Sequence, residues 1–333
     1  MRGTLGTGWQ ELPSTVETTW HARWPALAEL GLPGFCVPEE QGGFGLRADV
    51  AAAAAMELGA ALHPSPFAGL TASAYALAHT AGGPDTGHAG TSDAAAGELL
   101  ADLLAGSRIC AFGRLRPDGR VAYLVDGAPE AEALLLLDTT RDELLLLTDP
   151  RDWAADPSRH RFDISRSCAD ITVRPGRGHR LPAPAHTAAL YELLLAADAV
   201  GGTRRVLDRT VAYAGQRQAF GRPIGGFQAV QHRLAEHAVR VRGLTLVVAE
   251  AARGFGTDPR ETARSVALAS LSVSSGASSI LHDLLQLTGA IGFTWEYGLH
   301  LFQRRVHQDA RLAANPRAAA RSLADTEGWT DAR

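Results

Sequence analysis

The sequence predicts a mostly helical protein with one small β domain between two helical regions. The chain has 333 residues, enough for two or three domains and a large core. Hydrophobic residues make up 46% of it but aromatic residues only 6%, which is typical of helical proteins rich in alanine and leucine. Apolar residues recur at helical spacing on both sides of the chain's centre. Between them lie short apolar runs separated by turn-forming residues.

The first predicted domain, residues 1–105, consists of helices and loops. Residues 31–46 contain two prolines and several glycines and are predicted to form a loop, in which Glu39 and Glu40 are interpreted as solvated acids. Asp49 is the predicted N-cap of the next helix. Alanine-rich runs predict helices at residues 49–62, 72–80 and 94–104. A polar, glycine-rich surface loop is predicted at residues 82–91.

The second predicted domain, residues 106–180, is a reduced β domain. Its short apolar runs alternate with turn sequences such as the PDG at residues 117–119. The predicted strands are residues 108–112, 121–125, 133–138, 143–148 and 170–173. Trp153 is predicted to lie in a loop, and residues 175–184 are predicted to be a linker because they contain prolines and glycines.

The third predicted domain, residues 181–333, returns to helix. Residues 191–218 carry apolar residues at helical spacing without a proline. The segment FGRPIGG, residues 220–226, then ends this helix, because Pro223 removes a backbone donor and the glycines permit unusual backbone angles. Residues 227–254 resume as a second helix.

Charge and cysteine content exclude several classes of function. The formal net charge of −4 at pH 7 argues against a nucleic-acid partner, which normally requires a basic face. Cys36, Cys110 and Cys168 are too far apart for a metal or redox motif, so a reduced, cytoplasmic protein without a metal site is expected. No apolar run approaches the roughly 20 residues of a membrane helix, and the N-terminus lacks the pattern of a signal peptide.

The turn after residue 216 has the chemistry of an anion site. Arg217 lies at a predicted helix end, where a guanidinium can hold phosphate oxygens two at a time. Backbone N–H groups of the turn and of the next helix start would add donors. Physical chemistry alone favours the alternative, which is an ordinary helical hairpin with a solvated arginine.

Three stretches together resemble the acyl-CoA dehydrogenase family. Residues 217–231 match R-Q-x-F-G-x-P-I-x-x-F-Q-x-x-Q, which is similar to a motif of that family's C-terminal helical domain. Residues 286–305, QLTGAIGFTWEYGLHLFQRR, resemble its Q-x-x-G-G-x-G-[FY] segment. Residues 31–45, GLPGFCVPEEQGGFG, resemble its N-terminal turn. The resemblance implies an N-terminal helical domain, a middle β domain and a C-terminal four-helix bundle that forms the oligomer.

The same resemblance implies contacts to FAD. In the family, the Arg and Phe of R-x-x-F-G and the Gln of Q-x-x-G-G contact the ADP part of an FAD held mainly by a neighbouring subunit. The corresponding positions are Arg217, Phe220, Gln228, Gln286, Gly289 and Ala290. Two departures exist: Ala219 replaces a residue that often donates a hydrogen bond, and Thr288-Gly289-Ala290 replaces the usual His/Leu-Gly-Gly.

The predicted β domain lacks the features with which family members hold their own flavin. The stretch RICAFGRLRPDGRVAYLV contains no T-E-x-x-x-G-S segment, and Trp153 does not belong to a W-x-T strand. The chain alone is therefore expected not to bind an isoalloxazine ring.

The catalytic base of the family is also missing. The reaction needs a carboxylate over the α carbon of a thioester, to take a proton while a hydride leaves the β carbon. The two family positions for this glutamate hold Ala313 and Tyr191. Glu192 points about 100° away from Tyr191 on a helix. Asp198 is the strongest remaining candidate, because it lies in the apolar stretch LLLAADAVGG.

The favoured interpretation of each remaining acid is structural. Asp198 is expected to pair with an arginine of a neighbouring helix, since buried acids are usually paired. Glu296 matches an acid that the family carries without using it as the base. Glu192 is interpreted as a solvated residue of the first helical turn.

A chain that lacks its own flavin-binding segment and the catalytic glutamate resembles the short subunit of the two-gene, α2β2 acyl-CoA dehydrogenases. These enzymes are typical of actinobacterial steroid side-chain breakdown. FTWEYGLHLFQRR is similar to the F-T-W-E-H-x-L-H-L-Y-x-R-R of that group. The resemblance implies a subunit that completes the FAD site of a partner subunit acting on an acyl-CoA. Two alternatives stay open. One is a self-sufficient FAD-dependent acyl-CoA dehydrogenase with a non-standard base, and the other is a non-enzymatic scaffold subunit, which the retained Arg217 and Gln286 disfavour.

Overall fold

The computed structural model describes residues 20–80, 91–157, 162–313 and 316–328. Its elements follow the order helix, strand, helix, which confirms the predicted fold class. The first helices are α1 (Trp20–Glu29), α2 (Ala48–Ala60), α3 (Phe67–Thr80) and α4 (Thr91–Ala105). The loop predicted at residues 82–91 lies outside the described residues, except that Thr91 begins α4.

In the described part of the chain, seven strands follow before the helix that begins at Thr187 and form two sheets. They are β1 (Cys110–Arg114), β2 (Val121–Asp126), β3 (Ala133–Asp138), β4 (Glu143–Leu147), β5 (Trp153–Asp156), β6 (Cys168–Val173) and β7 (His179–Pro182). One sheet has the order β1-β3-β4-β7 and the other β2-β6-β5. The leucine runs of β3 and β4 pair in antiparallel register, with Leu135 opposite Leu146. Apolar side chains of both sheets form one buried cluster, so the sheets pack face to face.

Two of these strands contradict the sequence-based prediction. Trp153 begins β5 instead of lying in a loop, and β7 occupies part of the segment 175–184 that was predicted to be a linker. Their sequences, WAAD and HRLP, show neither clear alternation nor β-branched residues. Pairing with β6 and β4 determines their extended conformation, because strand formation depends strongly on context.

Long helices make up the rest of the chain. They are α5 (Thr187–Gln216), α6 (Gln228–Arg253), α7 (Pro259–Thr288), α8 (Leu299–Leu312) and the short α9 (Pro316–Thr326). Helices α5 to α8 are the four helices of the predicted C-terminal bundle. The Asp258 carboxylate caps α7 by accepting a hydrogen bond from the Glu261 N–H at 2.9 Å. Among the described helices, none is both long and apolar enough to span a bilayer.

The predicted N-cap of α2 is wrong by two positions, because the residue before the helix is Arg47. The helix already begins at Ala48, so Asp49 lies inside its first turn. The Asp49 carboxylate instead accepts hydrogen bonds from the guanidinium of Arg47, at 3.1 Å from Nε. An acid in the first turn still interacts favourably with the positive end of the helix dipole.

The described residues divide into two compact units. One contains residues 20–51 and 64–191, including strands β1 to β7. The other contains residues 52–63 and 192–328, including most of α5 and all of α6 to α9. The finer division into three domains at residues 105 and 180 stays a prediction.

Helices α2 and α5 approach each other closely within the second unit. A Cβ atom on Gly201 would lie 1.9 Å from the Met56 carbonyl oxygen, and one on Gly59 would lie 2.1 Å from the Asp198 carbonyl oxygen. Both distances are far below van der Waals contact. Glycine is therefore required at both positions for the two backbones to meet.

All three cysteines are buried free thiols. Burial raises the pKa of the Cys36 and Cys110 thiols from 9.0 to about 12. Because the thiolate is the reactive form, we expect almost no reaction of the native protein with a chromogenic disulfide reagent at mildly alkaline pH. Three thiols should react per chain after unfolding in denaturant.

The same pKa shifts predict how stability depends on pH. The folded chain keeps these protons up to about pH 12, whereas the unfolded chain releases them near 9.0. The folded state then binds more protons, so the two thiols contribute a loss of stability as pH rises through this window. A free energy of unfolding, measured by urea denaturation, that does not fall between about pH 9 and pH 12 would contradict this prediction.

Candidate functional site

The turn between α5 and α6 is a tight hairpin. Two-residue strands β8 (Gln218–Ala219) and β9 (Arg222–Pro223) pair in antiparallel fashion. The two residues at the tip, Phe220 and Gly221, have φ angles of 52° and 77°. Positive φ at both central residues is the geometry of a type I′ turn. Glycine adopts it readily, but a bulky phenylalanine there is a backbone outlier.

Phe220 and Arg217 are both directed to the surface. The Phe220 side chain is 97% exposed. Arg217 is exposed, and its backbone closes the turn: its N–H donates to the Tyr213 oxygen and its oxygen accepts from the Ile224 N–H, both at 2.8 Å. The Arg217 guanidinium makes no ion pair or hydrogen bond with any residue that the structure describes. This cation is therefore available for an anion from outside the chain.

Ion pairs place the start of α6 beside the end of α7. The Asp283 carboxylate accepts hydrogen bonds from Arg233 Nε at 3.0 Å and pairs with His237 Nε2 at 2.6 Å. Further along, Arg240 Nη2 donates to Ser279 Oγ at 3.3 Å, so the two helices are antiparallel. Gln228 begins α6 and Gln286 lies in the last turn of α7. These two glutamines consequently lie at the same end of the helical bundle.

Aromatic contacts bring the end of α5 to the segment after α7. The rings of Tyr213 and Tyr297 lie 5.7 Å apart, edge to face, and the Arg209 guanidinium lies 5.0 Å from the Tyr297 centroid. Arg217 follows Tyr213 by one helical turn. The six predicted FAD contacts are thus gathered at one end of the bundle. All six are exposed: Arg217, Phe220, Gln228, Gln286, Gly289 and Ala290.

The two positions at which the resemblance predicts the base hold side chains that cannot accept the proton. Tyr191 is buried, with its ring 4.9 Å from that of Phe112. Burial raises the pKa of the Tyr191 phenol far above its ordinary value, so it stays protonated. Ala313 follows the last residue of α8 and carries no titratable group.

Asp198 pairs with an arginine, as the structural interpretation of this acid expects. The carboxylate is 7% exposed, and its Oδ2 lies 3.6 Å from Nη1 of Arg305 on α8. Arg305 is fully buried and also donates to the His63 carbonyl oxygen at 3.2 Å. The arrangement gives Asp198 a stabilising role in the bundle.

The two other candidate acids, Glu192 and Glu296, differ in their exposure to solvent. The description of Glu192 as a solvated first-turn residue is wrong, because α5 already begins at Thr187 and Glu192 is half-buried in its second turn. Glu296 lies in an exposed turn between α7 and α8.

Sequence reasoning missed one buried acid beside Ala313. Asp309 is 2% exposed and lines a small cavity between α5, α7 and α8. The cavity, of about 10 Å³, is lined by Leu195, Ala196, Ala199, Ser270, Val273, Ser274, Val306, Asp309, Ala310 and Ala313. The spacing of four residues from the buried Arg305 on the same helix is the signal that could have identified Asp309.

Known families and proteins match this chain over most of its length. Residues 189–314 match the family model of the acyl-CoA dehydrogenase C-terminal domain, and residues 9–95 match that of the N-terminal domain. The chain is 33% identical to acyl-CoA dehydrogenase IpdE2 of Mycobacterium tuberculosis over 311 residues, which cover 92% of this chain and 86% of the relative. It is 33% identical to FadE34 of the same organism over 86% of this chain but only 39% of that protein.

Solved structures share the fold. A variant of the Tcur3481-Tcur3483 steroid ACAD superposes with a TM-score of 0.77 at 23% identity, over 100% of this chain and 93% of that chain. The ChsE4-ChsE5 complex from Mycobacterium tuberculosis gives a TM-score of 0.76 at 21% identity, over 96% and 90%. The family models, the identity to the relatives and the fold agree, and the chain therefore belongs to the acyl-CoA dehydrogenase family.

Proposed function

We propose that this chain is an acyl-CoA dehydrogenase subunit that completes the FAD site of a partner subunit. The main support for this proposal is the conformation of the hairpin tip, where Phe220 has a φ of 52° and its side chain is 97% exposed. Within its own chain this exposed side chain has only an edge contact with the ring of Phe227, at 6.3 Å between centroids, among the described residues. Strained and exposed outliers of this kind concentrate at binding sites. The neighbouring Arg217 guanidinium has no partner among the described residues.

The residues at this end of the bundle fit the ADP part of FAD. Arg217 would hold phosphate oxygens, Gln228 and Gln286 would supply hydrogen bonds, and Phe220 would cover an apolar surface. Gly289 and Ala290 would let the cofactor approach the backbone. When bound, FAD supplies the acceptor for the hydride that leaves the β carbon of the thioester.

The absence of a carboxylate at both family positions assigns proton abstraction to the partner. Tyr191 and Ala313 cannot take the α proton, and Asp198 is held by Arg305. The missing T-E-x-x-x-G-S segment supports the further proposal that the partner subunit also holds the flavin ring. In this proposal residues 1–105 and 106–180 are the helical and reduced β domains, and residues 181–333 provide oligomerisation and FAD contact.

The relatives suggest the substrate class and assembly. One structural neighbour is described as a steroid ACAD and another as a complex of two different chains. We therefore infer a cytoplasmic heterotetramer, with two copies of each subunit, that desaturates a CoA thioester of a steroid side chain. The alternatives are a self-sufficient dehydrogenase and a scaffold subunit without cofactor.

Flavin content tests the proposal. Expressed alone, the chain should contain almost no FAD, whereas its complex with a co-expressed, flavin-holding dehydrogenase subunit should contain bound FAD. Arg217→Ala should weaken FAD binding in the complex by about 1.5–3 kcal/mol, because a charge-assisted phosphate contact is lost. The flavin absorbance and the off-rate of FAD in a competition assay measure this effect.

Arg205→Ala is the matched control, because Arg205 is an exposed arginine on the same helix α5. It should leave FAD occupancy and release rate unchanged. Near-stoichiometric FAD in the chain expressed alone would establish the self-sufficient enzyme instead. Equal FAD retention in Arg217→Ala and wild type, with intact assembly, would favour the scaffold.

A further inference from the structure

A groove lined by arginines lies in the unit that contains strands β1 to β7. It has a volume of about 430 Å³, which is within the usual range for a small-molecule site. It is formed by the turn before β2, by β4 and by the loop between β6 and β7. Its lining residues are Gly119, Arg120, Leu145, Val173, Arg174, Pro175, Gly176, Arg177, Gly178 and Arg180. None of them belongs to the proposed FAD contacts.

The groove has a fixed shape. Its floor is the buried pair Leu145 and Val173, and the Val173 N–H donates to the Arg120 oxygen at 2.8 Å. Gly178 has a φ of 81°, and a Cβ atom there would lie 2.8 Å from the Leu146 carbonyl oxygen. This glycine lets the loop after β6 lie directly against β4 and form one wall.

Two of the arginines lining the groove are neutralised by acids. Arg180 Nη1 lies 2.8 Å from Glu143 and 3.4 Å from Asp138. Arg177 Nε lies 3.6 Å from Asp152. These ion pairs hold the two guanidinium groups beside the groove, and they reduce the local positive charge without removing the N–H donors.

The two other arginines are available. The guanidinium groups of Arg120 and Arg174 are exposed and make no ion pair or hydrogen bond with any described residue. A fifth guanidinium reaches the rim, because a Cβ atom on Gly119 would lie 3.5 Å from Arg141 Nη1. Arg141 itself pairs with Asp138 at 3.3 Å. Asp118 also lies near Arg120: its carboxylate accepts a hydrogen bond from the Arg120 backbone N–H at 2.8 Å, and the nearby arginine charges help to lower its pKa. The groove therefore carries five guanidinium groups against the four carboxylates of Asp118, Asp138, Glu143 and Asp152.

We propose that this groove binds the diphosphate group of a nucleotide-like ligand. Arginine forms two parallel hydrogen bonds with a phosphate, so two unpaired guanidinium groups from different segments match two linked phosphates. The apolar floor and Pro175 offer a surface for the organic part of the ligand. Diphosphates of this kind occur in free nucleotides and in coenzyme A, and the two sources can be distinguished by titration.

The test is isothermal titration calorimetry of the full chain at low salt with pyrophosphate, ADP, coenzyme A and orthophosphate. Pyrophosphate, ADP and coenzyme A should bind, and orthophosphate should bind more weakly. The double variant Arg120→Gln/Arg174→Gln should weaken the binding of the three diphosphates by about tenfold or more, because two charge-assisted contacts are lost. Binding should also weaken with added salt.

The matched control is Arg205→Gln/Arg253→Gln, which removes the same charge at two exposed positions of α5 and α6. It should bind all ligands as wild type does. The proposal is overturned if pyrophosphate and ADP do not bind, if both double variants behave alike, or if orthophosphate binds as tightly as pyrophosphate. Tighter binding of ADP than of coenzyme A identifies the free nucleotide as the source, and the reverse identifies coenzyme A. None of these outcomes depends on flavin content, so this proposal and the proposed function fail separately.

Discussion

Replacing Arg305 with methionine is expected to lower the free energy of unfolding by about 3–5 kcal/mol, measured by urea denaturation followed by circular dichroism. Arg305 is fully buried, and its Nη1 lies 3.6 Å from the Asp198 carboxylate. Its removal leaves that carboxylate charged and without this partner in an apolar region of α5. The His63 carbonyl oxygen also loses a donor.

Arg311→Met is the matched control, since Arg311 is an exposed arginine on the same helix α8. It should cost less than about 1 kcal/mol. The double variant Asp198→Leu/Arg305→Met provides a second test. It removes both charges and should recover part of the free energy of unfolding that Arg305→Met alone loses. A loss below about 1 kcal/mol for Arg305→Met would show that the pair is not a structural element.

The same pair decides whether Asp198 acts as the catalytic base. Asp198→Asn keeps the shape and removes the charge, so the complex carrying it should turn over within a few-fold of wild type. Loss of a general base would instead reduce the rate by about 100- to 10,000-fold. Such a loss, with normal FAD content and a changed pH–rate profile, would make this chain catalytic. Asp309→Asn provides the same measurement for the second buried acid.

Gly201→Ala is expected to destabilise the protein by about 3 kcal/mol, at the upper end of what overpacking produces. The added Cβ would lie 1.9 Å from the carbonyl oxygen of Met56 on α2, and a backbone atom in a helix cannot move aside. Thermal unfolding should therefore shift to clearly lower temperature, although alanine is the better helix former.

Gly243→Ala is the control, because Gly243 lies in the interior of α6 and nothing lies within 4 Å of the Cβ that the substitution would add. There the helix propensity of alanine acts alone and should stabilise the protein by roughly 1 kcal/mol. Opposite signs for the two substitutions would demonstrate that helix contact, and not propensity, fixes glycine at position 201. Equal effects would show that α2 and α5 do not meet as closely as described.

Local sequence patterns were sufficient for the fold class and for most elements. The 3.6-residue spacing of apolar side chains in α5 and α6 is visible within each segment, and Pro223 with its neighbouring glycines marks the break between them. The motif residues Arg217, Phe220 and Gln286 were identified in the same way. Whether they contact FAD stays a proposal.

Other features could not be predicted, because they depend on residues far apart in the chain. Strands β5 and β7 owe their conformation to pairing partners and carry little strand signal of their own. The half-burial of Glu192 depends on what packs against α5, and the helix also begins earlier than predicted, at Thr187. The burial of Asp309 beside Ala313 requires the packing of three helices.

The sequence by itself determined the order of helices and strands, the family motifs and the absence of a glutamate at both base positions, since each is a property of contiguous residues. The tertiary structure alone decided that Asp198 pairs with Arg305, that Gly201 meets Met56 and that arginines from separate segments line one groove. The physical reason is that a periodic pattern fixes which face of a helix or strand is apolar. The partner of a given side chain is fixed only when elements distant in sequence pack together.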